Sequence, residues 1–455
     1  MNTSKPLMGF VHRRRRGAEL FLLVMSLVVG IGAYAAVGLG VEGTVPADII
    51  GYGGWLAVLC VIAHIAVRYL APYADPVLLP VVAALNGLGL AMIRRTDLAE
   101  GTTYARSQLV WMTLGVLLFV AVLALIRDHR ALQRFTYTSG LAALVLLILP
   151  LLPVIGTEIH GARIWINLGP MSFQPGEIAK VCLVVFFAGY LVLHRDALAL
   201  AGRRVAGIDF PRGRDLGPIL AMWLVSLGVL VFQKDLGSSL LFFGLFLVML
   251  YVATERPGWL VVGSTLFAVG SYVGFLMFSH VQARVDSWRH PFSSDADSYQ
   301  IIQSMYGQAW GGLVGRGWGQ GDPTLIPFSY SDFIFAAMGE ELGLTGAMAI
   351  IVLYGLIVER GLRTALVCRD GFGKLIATGL AVVFALQVFV VIGGVTKLIP
   401  LTGLTTPFMS YGGSSLVANW AIIALLLRIS DQARRPLPAF SGTMDDDATQ
   451  VVSLR

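Results

Sequence analysis

Ser329-Tyr330-Ser331-Asp332 runs straight into FIFAAMGEELGLTGAMAIIVLYGLI, residues 333–357. An apolar run of this length crosses a bilayer as one α-helix, which takes about 20 residues. Before it, residues 280–331 form the largest polar insertion in an otherwise apolar chain. Asp332 therefore falls near the first turn of a membrane helix. A carboxylate at such a position is costly and is read as functional by default. It can equally satisfy the free backbone N–H groups of a helix start. Position alone leaves both readings open.

The rest of the chain matches this run. Of 455 residues, 56% are hydrophobic and 13% charged, with a mean hydropathy of +0.76. Soluble domains carry about 25% charged residues. The expected class is an all-α polytopic membrane protein. Twelve spans are expected, at 18–40, 50–71, 77–93, 107–126, 132–153, 175–193, 216–233, 237–254, 258–279, 333–357, 373–395 and 410–428. No cleavable signal peptide is expected, because the first apolar run is too long and lacks a cleavage site. Cys60, Cys182 and Cys368 fit neither a metal-site spacing nor a disulfide framework.

With the N-terminus and its Arg13-Arg14-Arg15-Arg16 inside, 23 Lys and Arg fall on the inner side and 9 on the outer, with Lys180 inside a span. This bias follows the positive-inside rule and places both termini in the cytoplasm. The organisation expected is a basic tail 1–17 lying on anionic lipid, spans and loops over 18–430, and a mobile tail 431–455. No nucleic-acid partner is expected.

Four irregular segments then collect on the outer face. The first is Gly161-Ala162-Arg163-Ile164-Trp165-Ile166-Asn167-Leu168-Gly169-Pro170, leading through Gln174-Pro175-Gly176-Glu177 into a span. Trp165 suits an interfacial anchor, and Arg163 suits a phosphate. The second is Gln233-Lys234-Asp235-Leu236-Gly237-Ser238, either a capped hairpin or a phosphate-binding turn. The third is the long loop, with Arg284 and Trp288, a helical stretch around Gln300, Gln303 and Ser304, and a glycine run over 311–321 that lacks the P-loop ending. The fourth, 393–415, contains Lys397, Pro400, Thr402, Pro407, Ser410 and Ser414. Irregular backbone at membrane depth is tolerated only where it is buried in protein or lines a cavity. Lys180, Glu340 and Glu341 lie inside spans. On a straight helix Glu340 is about 80° around from Asp332 and Glu341 is on the opposite face. Lys180 is expected to pair with Glu177 or Glu340.

Taken together, 161–180, 233–239, 299–319, 331–343 and 400–415 resemble the SEDS family of bacterial membrane proteins, the RodA/FtsW type. The resemblance covers about 75–427. It implies a peptidoglycan polymerase that extends glycan strands from lipid II, a polyprenyl-diphosphate disaccharide-peptide, outside the plasma membrane. The implied catalytic aspartate is Asp332 and the implied loop tryptophan is Trp165. The implied substrate-binding set is Arg163, Trp165, Glu177, Lys180, Lys234, Asp235, Arg284, Gln300, Gln303, Ser304, Glu340, Lys397, Thr402, Ser410 and Ser414. The family has ten spans, so 18–74 is an added N-terminal pair on a core over 75–430. Lys234 stands where the family often has Pro, Gly176-Glu177 where it has Ser-Glu, and Thr402 where some division-type members have Lys. The added pair and Lys234 look more like the RodA-type members of actinobacteria than like FtsW.

The chemistry this implies is direct displacement. Asp332 takes the proton of the acceptor 4-hydroxyl, the anomeric centre inverts, and the departing diphosphate is stabilised by Arg163, Arg284, Lys234 or Lys397, or by Mg²⁺ or Mn²⁺. A class B penicillin-binding protein, which would supply the transpeptidase, is the expected partner, alongside membrane lipids. Two other classes stay open: a lipid II flippase, against which the absence of an internal repeat weighs, and a non-catalytic scaffold of the wall-synthesis complex.

Overall fold

Every expected span becomes a helix in the computed structural model. The structure describes residues 14–436 apart from 154, 160–161, 170, 200–202, 206–207, 211–212 and 293–295. Most of the expected tails, 1–13 and 437–455, and Gly161 and Pro170 of the first outer segment, lie outside the described residues. The helices are α1 Arg16–Glu42, α2 Ile49–Leu70, α3 Leu78–Glu100, α4 Tyr104–Leu125, α5 Thr136–Ile148, α6 Gly176–Ala199, α7 Gly213–Phe232, α8 Leu236–Thr254, α9 Gly258–Met277, α10 Ser279–Arg289, α11 Ala296–Gly311, α12 Ile334–Val367, α13 Gly371–Val395 and α14 Gly413–Arg434. Among the described residues, eleven stretches are long and apolar enough to span a membrane. In α7, which matches the seventh expected span, 216–233, the described apolar stretch is shorter, Leu220–Val229. Helices α10 and α11 belong to the long loop.

The spanning part is all-helical, as expected, and two short strand pairings lie between the spans. The first outer segment folds as an antiparallel sheet of β1 Gly156–Ile159, β2 Ala162–Leu168 and β3 Met171–Phe173. A second hairpin pairs β4 Arg203–Val205 with β5 Ile208–Phe210. Both lie between spans, where the backbone leaves the helices and its N–H and C=O groups need other partners. The alternation in Ala162-Arg163-Ile164-Trp165-Ile166-Asn167-Leu168 is the strand signature.

Helices α3 and α14 form the centre: 94% of each hydrophobic window is buried, against 6% for α9. The added pair docks on α3 through glycines. A Cβ at Gly30 would lie 2.9 Å from Gly87 Cα, and one at Gly87 2.7 Å from Gly30 Cα. Missing side chains let two membrane helices pack at backbone distance. At its other end α1 meets the glycine-rich loop, where Gln320 Nε2 donates to Gly40 O at 2.9 Å.

Helix α12 is two helices. Gly343 has φ 67° and ψ −171°, a conformation essentially reserved for glycine. It separates a short arm, 334–342, from the spanning helix, 344–367. The glycine run fills the break: Arg316 N–H donates to Glu340 O, Gly317 N–H to Glu341 O, Leu344 N–H to Gly312 O and Thr345 N–H to Leu313 O. The arm is buried throughout over 334–341. At 1.5 Å per residue its nine residues carry the chain about 13 Å. Asp332 is thus at the far end of a buried arm and not at the head of the spanning helix.

Candidate functional site

At that far end the 393–415 segment wraps the chain just before the arm. Ser410 Oγ donates to Ser331 O at 2.7 Å, Tyr411 N–H to Tyr330 O at 2.8 Å, and Thr406 N–H to Ser410 Oγ at 2.8 Å. From the spanning half of α12, Tyr354 donates its phenol to Pro407 O at 2.6 Å. These bonds bring the turn before the arm and the spanning half of α12 to one segment. Ser331 Oγ donates to Asp332 Oδ1 at 3.1 Å.

Gly403, at φ +75°, marks the opening beside Asp332. A Cβ there would stand 3.8 Å from Asp332 Oδ2 and 3.7 and 3.8 Å from the Arg284 Nη atoms. Arg284 Nη1 donates to Leu401 O at 2.7 Å, and Trp288 Nε1 to Lys397 O at 3.0 Å, so α10 holds both ends of the Lys397–Leu401 turn. Ser304 Oγ of α11 donates to Val395 O at 3.0 Å, and Gln308 Nε2 to Ser304 O at 3.2 Å. The loop helices therefore clamp the segment that carries Thr402.

Other charges converge on Arg284. Asp235 caps α8, accepting from Ser238 N–H at 2.9 Å. Burial pushes its carboxyl above the usual range, Glu177 adds to the rise, and the Ser238 bonds and Arg284 oppose it. Burial, then the charges of Arg284 and Lys234, holds the His280 imidazole below its ordinary value. Arg284 thus links Asp235, His280 and Asp332, and Lys234, which is exposed, joins it at His280.

Glu177 and Lys180 lie beneath it. Lys180 Nζ donates to Glu177 Oε2 at 2.5 Å and to Gln387 Oε1 at 2.8 Å. Of its two expected partners, Lys180 takes Glu177. Gln387 Nε2 continues to Thr405 O at 3.0 Å and Ser415 Oγ at 3.4 Å. With relative exposures of 6% and 3%, Glu177 and Lys180 form a support for the 405–415 backbone. Ser414 Oγ accepts from Gln174 N–H at 2.8 Å, which ties in the strand hairpin.

The hairpin holds its residues apart from that support. Arg163 is half-exposed on β2 and pairs with Glu158 at 3.2 Å, while Trp165 is in register with Thr157. Glu340 and Glu341 both serve the glycine-rich loop. Glu340 accepts from Arg316 Nη1 at 3.0 Å and Asp322 N–H at 3.1 Å. Glu341 accepts from Arg95 Nε and Gly319 N–H, both at 2.9 Å. Gln300 and Gln303 are half-buried on α11.

The sequence reading missed three features. Tyr104, Tyr330 and Tyr411 stack beside Asp332, with centroids 4.3 and 4.8 Å from Tyr104; burial, then the Tyr104 hydroxyl, pushes the Tyr330 phenol up. Gln387 joins the Lys180 network. Four non-glycine residues with left-handed φ sit in or beside these segments: Lys234, Phe328, Lys397 and Phe408. Such conformations cost roughly 1–3 kcal/mol each and gather at functional sites. Around Asp332 the described residues do not form a cluster of three His, Cys or carboxylate ligands. Nothing there fits an Mg²⁺ or Mn²⁺ held by protein side chains alone.

Residues 76–435 match the family described as cell cycle protein, the FtsW/RodA/SpoVE group. The chain belongs to the SEDS family. This SEDS chain is 50% identical over 431 residues to the peptidoglycan glycosyltransferase RodA of Mycobacterium tuberculosis, covering 93% of this chain and 92% of that one. The Mycobacterium leprae protein of the same name is 48% identical over the same length. A chain from a peptidoglycan synthase complex, described as coordinating polymerization and crosslinking, superposes with a TM-score of 0.65 at 30% identity, covering 79% of this chain and 98% of that one. The Thermus thermophilus rod shape determining protein RodA superposes at 0.51 with 28% identity, covering 85% and 98%. Peptidoglycan glycosyltransfer is the activity of this SEDS enzyme.

Proposed function

We propose that the enzyme polymerises lipid II on the outer face of the bacterial plasma membrane, with both termini in the cytoplasm. The observation that carries this is the pairing of a carboxylate and a guanidinium across Gly403. Asp332 is the general base. It removes the proton of the acceptor 4-hydroxyl as that oxygen attacks the anomeric carbon of the growing strand. The carbon–oxygen bond to the polyprenyl diphosphate breaks, the centre inverts, and the diphosphate leaves with the bonding pair. Arg284, Lys234 and Lys397 supply positive charge for it.

The other residues divide by access. Ser410, Ser414, Glu177, Lys180 and Asp235 position the Thr402–Ser415 backbone and cap α8. Arg163 and Trp165 meet the substrate from the surface hairpin. Gln300, Gln303 and Ser304 belong to the α11 clamp, and Glu340 to the glycine-rich loop. The relation to a complex that couples polymerization to crosslinking supports a class B penicillin-binding protein as partner.

The test is incubation of purified protein with labelled lipid II, with and without the transpeptidase, followed by sizing of the glycan. Wild-type protein should make polymer and Asp332→Asn should not. Transfer of lipid II between leaflets with no polymer would overturn the reading in favour of a flippase. In spheroplasts, single cysteines at Ile164, His290 and Thr402 should label from outside, and those at Val205 and Phe440 should not. Labelling at Val205 but not at His290 would overturn the orientation.

A further inference from the structure

A second cluster of reactive side chains lies far from Asp332. Helix α13 runs from Gly371 to Val395, and Val395 O is the acceptor for Ser304 in the outer clamp. The opposite end of α13 meets three other segments. His129 enters from the turn after α4, Cys368 and Asp370 from the turn between α12 and α13, and Gln432 from the end of α14.

His129 is 1% exposed. Its Nε2 is 3.0 and 3.1 Å from the two Asp370 oxygens, and Cys368 Sγ is 3.6 Å from Asp370 Oδ1. All three ligand atoms lie within 4.8 Å of one another. A tetrahedral zinc site, with Zn–N and Zn–O near 2.0–2.2 Å and Zn–S near 2.3 Å, has N···O edges of about 3.4 Å and S···O edges of about 3.6 Å. The observed N···O edge, 3.0 Å, and S···O edge, 3.6 Å, are within a few tenths of an ångström of those values, and the third edge is under 4.8 Å.

The other ring nitrogen is already assigned. Gln432 Nε2 donates to Arg127 O at 2.8 Å, which turns Gln432 Oε1 toward His129 Nδ1. Nδ1 must then carry a proton, which leaves Nε2 as the coordinating nitrogen. This is the orienting hydrogen bond that metal-bound histidines make. Asp370 is fixed too, since Gly373 N–H donates to its Oδ2 at 2.7 Å. Only glycine fits at 373: a Cβ there would lie 2.4 Å from both Cys368 Sγ and His129 Nε2.

We propose that His129, Cys368 and Asp370 form a binding site for a borderline-soft divalent cation of the zinc class. Water completes the tetrahedron. Binding displaces the thiol proton and any proton on Nε2, and it ties two cytoplasmic segments together, with Gln432 of α14 held to the first, at the end of the bundle opposite the catalytic face. A hard cation such as Mg²⁺ is excluded by the thiolate. The compartment keeps the thiol reduced.

The test uses full-length purified protein, stripped with chelator and titrated with Co²⁺. One equivalent should bind and give thiolate-to-cobalt charge-transfer absorption. Cys368→Ser should abolish that band, and Gln432→Ala should weaken binding about 10–100-fold while keeping it. A second measurement needs no variant: Zn²⁺ should protect Cys368 from alkylation without changing the labelling of Cys60 or Cys182. Absence of the band, a band that survives Cys368→Ser, or alkylation of Cys368 unaffected by Zn²⁺ would each overturn the site. The cluster would then be an imidazolium held by Asp370, with Arg130 at 3.5 Å sharing that carboxylate.

Discussion

Arg284 and Asp332 flank the same missing side chain. A Cβ at Gly403 would lie between 3.7 and 3.8 Å from the guanidinium nitrogens and from the carboxylate. In the displacement proposed above, a carboxylate and a guanidinium so placed would address opposite needs, proton removal from the acceptor and charge on the leaving group. Asp332→Asn keeps the shape and removes the basicity. Polymer formation should fall by about 10²–10⁴-fold, with folding, partner binding and lipid II binding unchanged. Gel sizing of the glycan beside a thermal melt measures both. Near-normal polymer from the well-folded variant would remove Asp332 from its role.

The Lys180–Glu177 pair should matter through stability. Removing one partner of a buried ion pair costs roughly 3–5 kcal/mol. Lys180→Met should lower the melting temperature sharply, and the double variant Lys180→Met/Glu177→Gln should recover part of the loss. Arg163→Ala provides the contrast. Its pair with Glu158 is half-exposed, and such pairs contribute about 0–1 kcal/mol. Its melt should be unchanged while polymer yield drops. A Lys180→Met protein as stable as wild type would show that the pair contributes nothing.

Gly343 separates a buried arm from a spanning helix. Gly343→Ala forces a side chain into left-handed backbone, with its Cβ 2.2 Å from Gly315 N. The strain alone is worth roughly 1–3 kcal/mol. Stability and polymer yield should both fall. Gly355→Ala, on the same helix with nothing within 4 Å of the new Cβ, should be neutral or stabilising. Equal behaviour of the two variants would mean that the break is dispensable.

Asp235 gives a pH dependence. Its folded carboxyl titrates above the ordinary range, so the folded state holds a proton that the unfolded chain has lost. Stability therefore falls as pH rises from the unfolded value to the folded one, and is level above that. Arg284 limits the rise. Arg284→Gln should extend the falling region toward neutral pH, and Asp235→Asn in that background should remove the added slope. Parallel melting curves against pH for wild type and Arg284→Gln would contradict the coupling.

The sequence revealed the spans and the outer convergence because length, apolarity and the count of basic residues are local sums. It did not reveal where α12 breaks. One glycine in an apolar run costs only about 1 kcal/mol and is tolerated in a helix. What makes Gly343 a break is backbone pairing with 312–317, which is tertiary. The straight-helix angles given to Glu340 and Glu341 do not apply because Asp332 lies in the turn before Ile334, where the helix starts, and the glycine-rich loop receives both carboxylates. The strands at 162–168 were legible from alternation, but the helical context hid them. Cys368 looked isolated because its neighbour His129 is distant in the chain.

The bonds around Ser331 also fix an order of events during synthesis. Ser410, which holds the Ser331 carbonyl, is 79 residues further on, and Ser414, which receives Gln174 N–H, is 240 residues beyond it. A nascent chain released before residue 410 contains Asp332 and most of the spans, yet no ribosomal intermediate of that length has the arm clamped. The bonds that hold Ser331 and Gln174 therefore form only after residues 410–414 have been made, where the last helix begins.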